Sequence, residues 1–293
     1  MIKALRSLAG PEHNFGATMP ELPEVETIRR GLFAHVVGRT LTGITVRRTD
    51  LRWPVPENLL GKVLPGEKIM AVRRRGKYLL LDTQVGTVIL HLGMSGVFRF
   101  VPGNHPAQRH DHVDFHLDDG HCLRLTDPRR FGAILWGGLN PCNHTLLDKL
   151  GPEPLDNTFD GPALYALTRG CRRPVKTWLM DSQRVAGIGN IYAVESLFMA
   201  GIHPTCPVET LTLEACQRLV DAIKDRLNEA IAQGGTTLRD FRHSDGRPGY
   251  FQQFLQVYGR EGLPCRKCAA PIQSLRLGGR SSPCCPNCQS IGR

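Results

Sequence analysis

The sequence contains no run of eighteen apolar residues, and its first thirty residues lack the basic-then-apolar pattern of a secretion signal. Neither a membrane span nor export is therefore supported, and a soluble, cytoplasmic protein is expected. Acidic residues are in short supply. Against 37 Lys and Arg stand 27 Asp and Glu, a net charge of +10, with an isoelectric point near 9.3. That surplus favours a polyanionic partner, nucleic acid first, with an ordinary basic enzyme as the alternative. A disulfide framework is also missing: Cys122, Cys142, Cys171, Cys206, Cys216 and Cys284 are scattered with no pairing pattern. Such thiols read as small buried hydrophobes in a reducing compartment.

At 293 residues, 41% of them apolar, the chain is long enough for two modest domains. From Glu24, "EVETIRRGLFAHVV" places Val25, Ile28, Leu32, Phe33 and Val36 at helical spacing. After Gly38 come eight short β-rich runs, from "GITVRR" to "GAILWG", separated by turn residues, which suggests a sandwich or barrel. Pro and Gly cluster around Leu150–Leu164, and the patterns beyond are helical. The clearest of these helices carries Leu219, Ile223, Leu227 and Ile231 on one face and stops at Gly234-Gly235. The expected fold class is α+β, with an opening helix and β-sandwich over 19–150, a helical unit over 151–250 and a small terminal unit over 251–293.

In that terminal unit, Cys265-x-x-Cys268 and Cys285-x-x-Cys288 are separated by sixteen residues. Two such knuckles supply four thiolates for a tetrahedral zinc ion, and most sites of this kind are structural. Cys284, beside Cys285, is a competing thiolate, but only Cys285 keeps the Cys-x-x-Cys spacing with Cys288. The loop between the knuckles carries Arg276 and Arg280, suited to entering a DNA groove or gripping phosphate.

Taken in order, "MPELPEVETIRRGL", "RRRGKYLLLD", "HLGMSG", "DPRRFG", "GIGNIYAVESLFMAGIHP", "QGGTTLRDF", "DGRPGYFQ", "VYGREG" and the cysteine hairpin resemble formamidopyrimidine-DNA glycosylase over Met19 to Cys288. The resemblance implies a helix-two-turn-helix in the helical unit, one structural zinc ion, and a monomer acting on double-stranded DNA with an oxidised base. It implies a cytoplasmic, nucleoid-associated base-excision enzyme of bacterial type. Such an enzyme removes oxidised purines such as 8-oxoguanine and formamidopyrimidines, then cuts the strand at the abasic site. The sister endonuclease VIII family prefers oxidised pyrimidines and typically opens Pro-Glu-Gly-Pro-Glu. Leu22 and "QGGTTLRDF" favour the purine branch.

By the resemblance, the nucleophile is the secondary amine of Pro20, which forms a covalent iminium with the sugar. Glu21 is the proton donor and Glu24, three residues on, a positioning or relay group; acids in a first helical turn also stabilise the helix dipole without any chemistry. Lys77 contacts lesion and phosphate and assists elimination, and Arg280 joins this catalytic set. Met94, Arg129 and Phe131 fill the gap left by a flipped base. Lys176 and Asn190 grip phosphate, with His112 in the same role, although a histidine in a strand is more often structural. Thr236 and Thr237 hold the extruded base.

The eighteen residues before Met19 carry no motif. A mis-assigned upstream start, a cleaved leader and a genuine tail are the three explanations. The first is preferred, because removal of Met19 from a chain begun there frees the Pro20 amine. With the tail retained, the Pro20 nitrogen is an amide whose lone pair is delocalised, and the chain becomes a damaged-DNA binder without excision.

Overall fold

The computed structural model describes residues 19–235 and 251–289. The opening helix α1 (Leu22–Val36) turns Val25, Ile28, Leu32 and Val36 into one buried stripe, all within 1% of complete burial. Phe33, expected on that stripe, is 48% exposed. It lies one residue, about 100°, beyond Leu32 and so points off the packed face.

All eight predicted strands form. They are β1 (Leu41–Val46), β2 (Ala71–Arg75), β3 (Tyr78–Asp82), β4 (Thr87–His91), β5 (Val97–Pro102), β6 (Asp111–Leu117), β7 (His121–Thr126) and β8 (Ala133–Gly138). They pair antiparallel into two four-stranded sheets, ordered β1-β6-β7-β5 and β2-β3-β4-β8. Residues of both sheets share one apolar core with α1 and with Leu60 of the short helix α2 (Glu57–Val63). The whole of β4 is buried. Its second face is covered by Leu147, which packs with Leu80 and Ile89, so the strand reads as a continuous apolar run instead of an alternating one.

Beyond residue 150 lie α3 (Gly161–Thr168), α4 (Val175–Leu179), α5 (Asn190–Ala200) and α6 (Leu213–Ala232). Their core includes Trp178, Tyr192, Leu197, Leu219, Ile223 and Leu227. The helix α6 ends as the sequence predicts, with Gly234 and Gly235 at φ of +76° and +82°, where a side chain is disfavoured. The strands β9 (Gln273–Leu277) and β10 (Arg280–Cys284) form a hairpin turned by Gly278-Gly279. The segment leading into it is tied to α5 through Glu195, a completely buried carboxylate that accepts the N–H groups of Gln256, Val257 and Tyr258 at 2.9–3.1 Å. Among the described residues no helix is long and apolar enough to cross a membrane.

The first helix takes part in the cores of both main units. Leu22, the first residue of α1, belongs to the helical core, while Val25, Ile28, Leu32 and Val36 of the same helix belong to the sandwich core. The start of α1 is therefore buried in the junction between the units.

Candidate active site at the domain junction

Pro20 is buried immediately before that junction, and Met19 lines a cavity of about 230 Å³ beside it. Lys77, Arg52, His91, Ser182, Gly189 and Arg280 contribute to its wall. The cavity thus draws on the sandwich, the helical unit and the cysteine hairpin at once.

Glu21 is 2% exposed, and its carboxylate sits on the N-terminus of α5, accepting N–H from Gly189 at 2.7 Å, Ile191 at 2.9 Å and Tyr192 at 3.4 Å. Unpaired amides at a helix start attract an anion in this way. Gly189 must be glycine, because a Cβ there would lie 2.3 Å from Glu21 Cδ. Burial pushes the Glu21 pKa up; Lys77 and the backbone amides oppose that shift without cancelling it, and Glu24 adds to it. Glu24, equally buried, accepts the Glu21 N–H at 3.0 Å and the Tyr192 hydroxyl at 2.8 Å. The two carboxylates are therefore joined in one network through the backbone of the residue after Pro20.

Lys77 stands at the tip of the β2–β3 hairpin, after Gly76 at φ +56°. The tip is held against the helical unit by Glu153, which accepts the Gly76 N–H at 2.5 Å and pairs with Arg74 at 2.6 Å and Arg75 at 3.0 Å. Burial draws the Lys77 pKa down; Glu21 and Glu24 pull it up, and Arg280 presses it lower. Lys176, fully buried on α4, donates to the Leu277 carbonyl at 3.3 Å, and burial and Arg280 bring its pKa down to about 8 against the pull of Glu21. Asn190 donates from Nδ2 to the Ser281 carbonyl at 3.1 Å, while its Oδ1 is buried without a hydrogen bond. These contacts place Arg280 and the hairpin tip at the cavity.

Met94, Arg129 and Phe131 form a second group. Met94 is half-buried and Phe131 42% exposed, and the Arg129 guanidinium lies 5.1 Å from the Phe131 ring centre. His112 is 2% exposed, and its Nε2 lies 2.7 Å from the Asp127 carbonyl, the kind of contact that the structural alternative for a strand histidine expects. Thr236 and Thr237 lie outside the described residues.

Sequence reasoning missed three side chains. His91 ends β4 inside the cavity, and burial, Lys77 and Arg52 lower its pKa to about 3, so the ring is neutral. Arg52 lines the same wall and stacks over Trp53 at 4.6 Å. Tyr258 lies within the field of Glu21 and Arg280, its pKa raised to about 12 chiefly by burial. For His91 the signal was its place at the head of "HLGMSG"; Arg52 had none beyond its charge.

The cysteine cluster fits zinc. The sulfurs of Cys265, Cys268, Cys285 and Cys288 all lie within 4.8 Å of one another, and Zn–S bonds of about 2.3 Å in a tetrahedron require S···S separations of about 3.8 Å. Cys284 turns away, its sulfur 3.7 Å from His203 Nε2. The four cysteines hold one structural zinc ion per chain, which fastens the hairpin that carries Arg280.

A β-sandwich, a helical unit and a zinc hairpin that meet around a partly open cavity lined by three cations, with two linked carboxylates beside it, fit a DNA-processing enzyme. Family models support the assignment: the formamidopyrimidine-DNA glycosylase N-terminal domain matches residues 19–134, the H2TH domain of the same family 150–242, and the zinc finger found in FPG and IleRS 262–291. A formamidopyrimidine-DNA glycosylase of Stenotrophomonas maltophilia is 56% identical over 271 residues, covering 92% of this chain and all of the relative. The crystal structure of the MutM (Fpg) protein of Thermus thermophilus superposes with a TM-score of 0.82 at 39% identity, covering 94% of this chain and all of that one. The wild-type Lactococcus lactis Fpg in complex with DNA containing N7-benzyl-Fapy-dG gives 0.85 at 34% identity, covering 92% and 100%. The chain belongs to the formamidopyrimidine-DNA glycosylase family. It is a DNA-binding glycosylase of base excision repair.

Proposed function

We propose that the chain excises oxidised purines from double-stranded DNA as a monomer and then cleaves the strand, with the Pro20 nitrogen as nucleophile. The observation that carries this reading is the place of Pro20, buried between Met19, which lines the cavity, and Glu21, whose backbone N–H joins it to Glu24 and whose carboxylate lies in the field of Lys77. The amine attacks C1′ of the damaged nucleotide and the C1′–base bond breaks, leaving its electron pair on the base, which takes a proton supplied by Glu21. The raised pKa of Glu21 suits a proton carrier. The nitrogen then loses its proton and the C1′–O4′ bond opens, the ring oxygen taking a proton, which gives an iminium that draws electrons from the sugar; the C2′ proton is lost and the 3′ phosphate departs, and repetition of the elimination releases the 5′ phosphate. Lys77, its pKa lowered by burial, is suited to accept protons and to hold a phosphate. Arg280, Lys176 and Asn190 hold phosphate, and Thr236 and Thr237 hold the flipped base. Met94, Arg129 and Phe131 occupy the emptied stack.

The reading requires a free Pro20 amine, and the match of the N-terminal family model from residue 19 onward supports Met19 as the start that yields it. Met19 at the cavity favours a second reading, a binder without excision, for chains that keep the preceding residues. Borohydride trapping on 8-oxoguanine duplexes separates the two. Protein beginning at Pro20 should give a covalent adduct and strand cleavage, and protein verified from Met1 should bind and give neither; an equal adduct from both refutes the role of the Pro20 amine. Thymine glycol as a parallel substrate tests the purine preference.

A further inference from the structure

We infer that Asp127 is a positioning residue that locks the Met94 loop and the Arg129–Phe131 loop into one preformed wedge, a conclusion that rests on the gap-filling role proposed above. Asp127 is completely buried. Its Oδ1 accepts the Ser95 hydroxyl at 2.6 Å and the Arg129 N–H at 3.2 Å, and its Oδ2 accepts the Gly132 N–H at 2.7 Å. The Ser95 oxygen in turn accepts the Arg129 N–H at 3.2 Å. One carboxylate therefore bridges the residue after Met94 to the residues on both sides of Arg130 and Phe131.

The two loops are also in van der Waals register. A Cβ on Gly93, which has φ +65°, would lie 2.3 Å from the Phe131 carbonyl carbon, so the backbones touch where only glycine fits. Between Arg129 and Phe131, Arg130 takes φ +58°, a conformation that an arginine adopts only under constraint. Asp127 supplies that constraint from within, through its own carbonyl, which accepts the Arg130 N–H at 3.3 Å, and through the Gly132 bond. His112 fixes the same carbonyl from behind at 2.7 Å, which gives the buried histidine a function.

The wedge is also joined to the cavity: His91 Nδ1 accepts the Gly93 N–H at 3.0 Å. The distance between the flipped nucleotide and the residues that replace it is thus set by hydrogen bonds already present without DNA. A wedge assembled during binding would have to order both loops at the moment of insertion, at an entropic cost that prior locking removes.

Ser95→Ala deletes two of the bridging bonds while leaving the side chains of Met94, Arg129 and Phe131 unaltered. Single-turnover excision of 8-oxoguanine opposite cytosine, with 2-aminopurine beside the lesion to report insertion, should slow about tenfold in both signals, the factor given by about 1.4 kcal/mol. The same lesion opposite an abasic analogue, where no pair must be broken, should be cut within about threefold of the unaltered rate. Asp127→Asn is measured in parallel, and Ser95→Ala keeps the test available if the Asn variant does not fold. Equal losses on both substrates, or none on either, overturn the proposal. Phe131→Ala distinguishes the two levels of failure: if it slows the paired substrate selectively while Ser95→Ala does not, the lock is refuted and the wedge stands, whereas an unselective Phe131→Ala refutes the wedge itself.

Discussion

Replacement of Glu21 by glutamine separates its two duties. Both carboxylate oxygens face backbone donors, Oε2 towards Gly189 and Tyr192 and Oε1 towards Ile191. An amide has one oxygen, so whichever way the glutamine side chain turns, its NH2 meets at least one N–H head on. A buried donor left unmatched costs about 1–3 kcal/mol, and in a chain of this size each kcal/mol lowers the melting temperature by roughly 2–4 °C. The raised pKa of Glu21 works in the opposite direction, since an amide avoids the desolvation that disfavours the carboxylate, so the thermal loss should fall at the low end. The chemical loss should be far larger, because a positioned proton carrier contributes about 10²–10⁴-fold. The assay is single-turnover excision of 8-oxoguanine with enzyme in excess, beside a thermal melt of the same sample. A rate that falls no further than the folded fraction, or stays within about threefold of the original, would show that Glu21 merely caps α5.

Gly189→Ala should reproduce much of that loss without altering a titratable group, because the new methyl occupies the space of the Glu21 carboxyl carbon; undiminished excision by the folded variant would refute the geometry. Lys176 has a pKa of about 8, lowered by burial and by Arg280. It is cationic below that pH and neutral above, so affinity for an abasic-analogue duplex should weaken from pH 7 to 9 at fixed ionic strength. Lys176→Arg should flatten the profile, and an unchanged slope would remove Lys176 from the interface. Cys268→Ser should abolish stoichiometric zinc, read by atomic absorption, and weaken DNA binding as the hairpin that carries Arg280 loosens; Cys284→Ser should keep the full metal content, since its sulfur faces His203.

Local periodicity carried most of the fold. Eight strands and the long helices were legible because each buries one face against a core, and that demand writes a repeat of two or of 3.6 into the chain. The helix α2 was not legible, because Glu57–Val63 has too few turns to show a stripe. Phe33 was misplaced for the opposite reason: next to Leu32 it matches a helical pattern in sequence while pointing to solvent. The site was legible only in pieces. The cysteines announce their chemistry by type and spacing, and Lys77 and Arg280 only through the resemblance, but nothing local tells that Glu21 will lie against Gly189, Ile191 and Tyr192, some 170 residues on. Likewise the strand pattern of "HDHVD" leaves open which histidine turns inward, and the bond from His112 to Asp127 decides it.

The contact between Glu21 and the start of α5 answers a mechanical problem in the proposed catalysis. A backbone nitrogen used as a nucleophile has no side chain of its own to orient it and, once free, no residue before it in the chain. Its position must come from the residues on its C-terminal side. Here Leu22 donates its N–H to the Gly187 carbonyl at 3.0 Å, and its side chain fills the space that a Cβ on Gly187 would need. Glu21 clasps the start of α5, and Glu24 accepts the Glu21 N–H. Three anchors, one apolar and two charged, thus fix the two residues after Pro20 to an element of the other domain. Any change that loosens these anchors should therefore slow the proposed attack by the amine more than it weakens DNA binding, because the anchors fix the nitrogen itself, while the cations Lys77 and Arg280 reach the same cavity from the β2–β3 hairpin and the zinc hairpin, to which Lys176 of α4 is bonded.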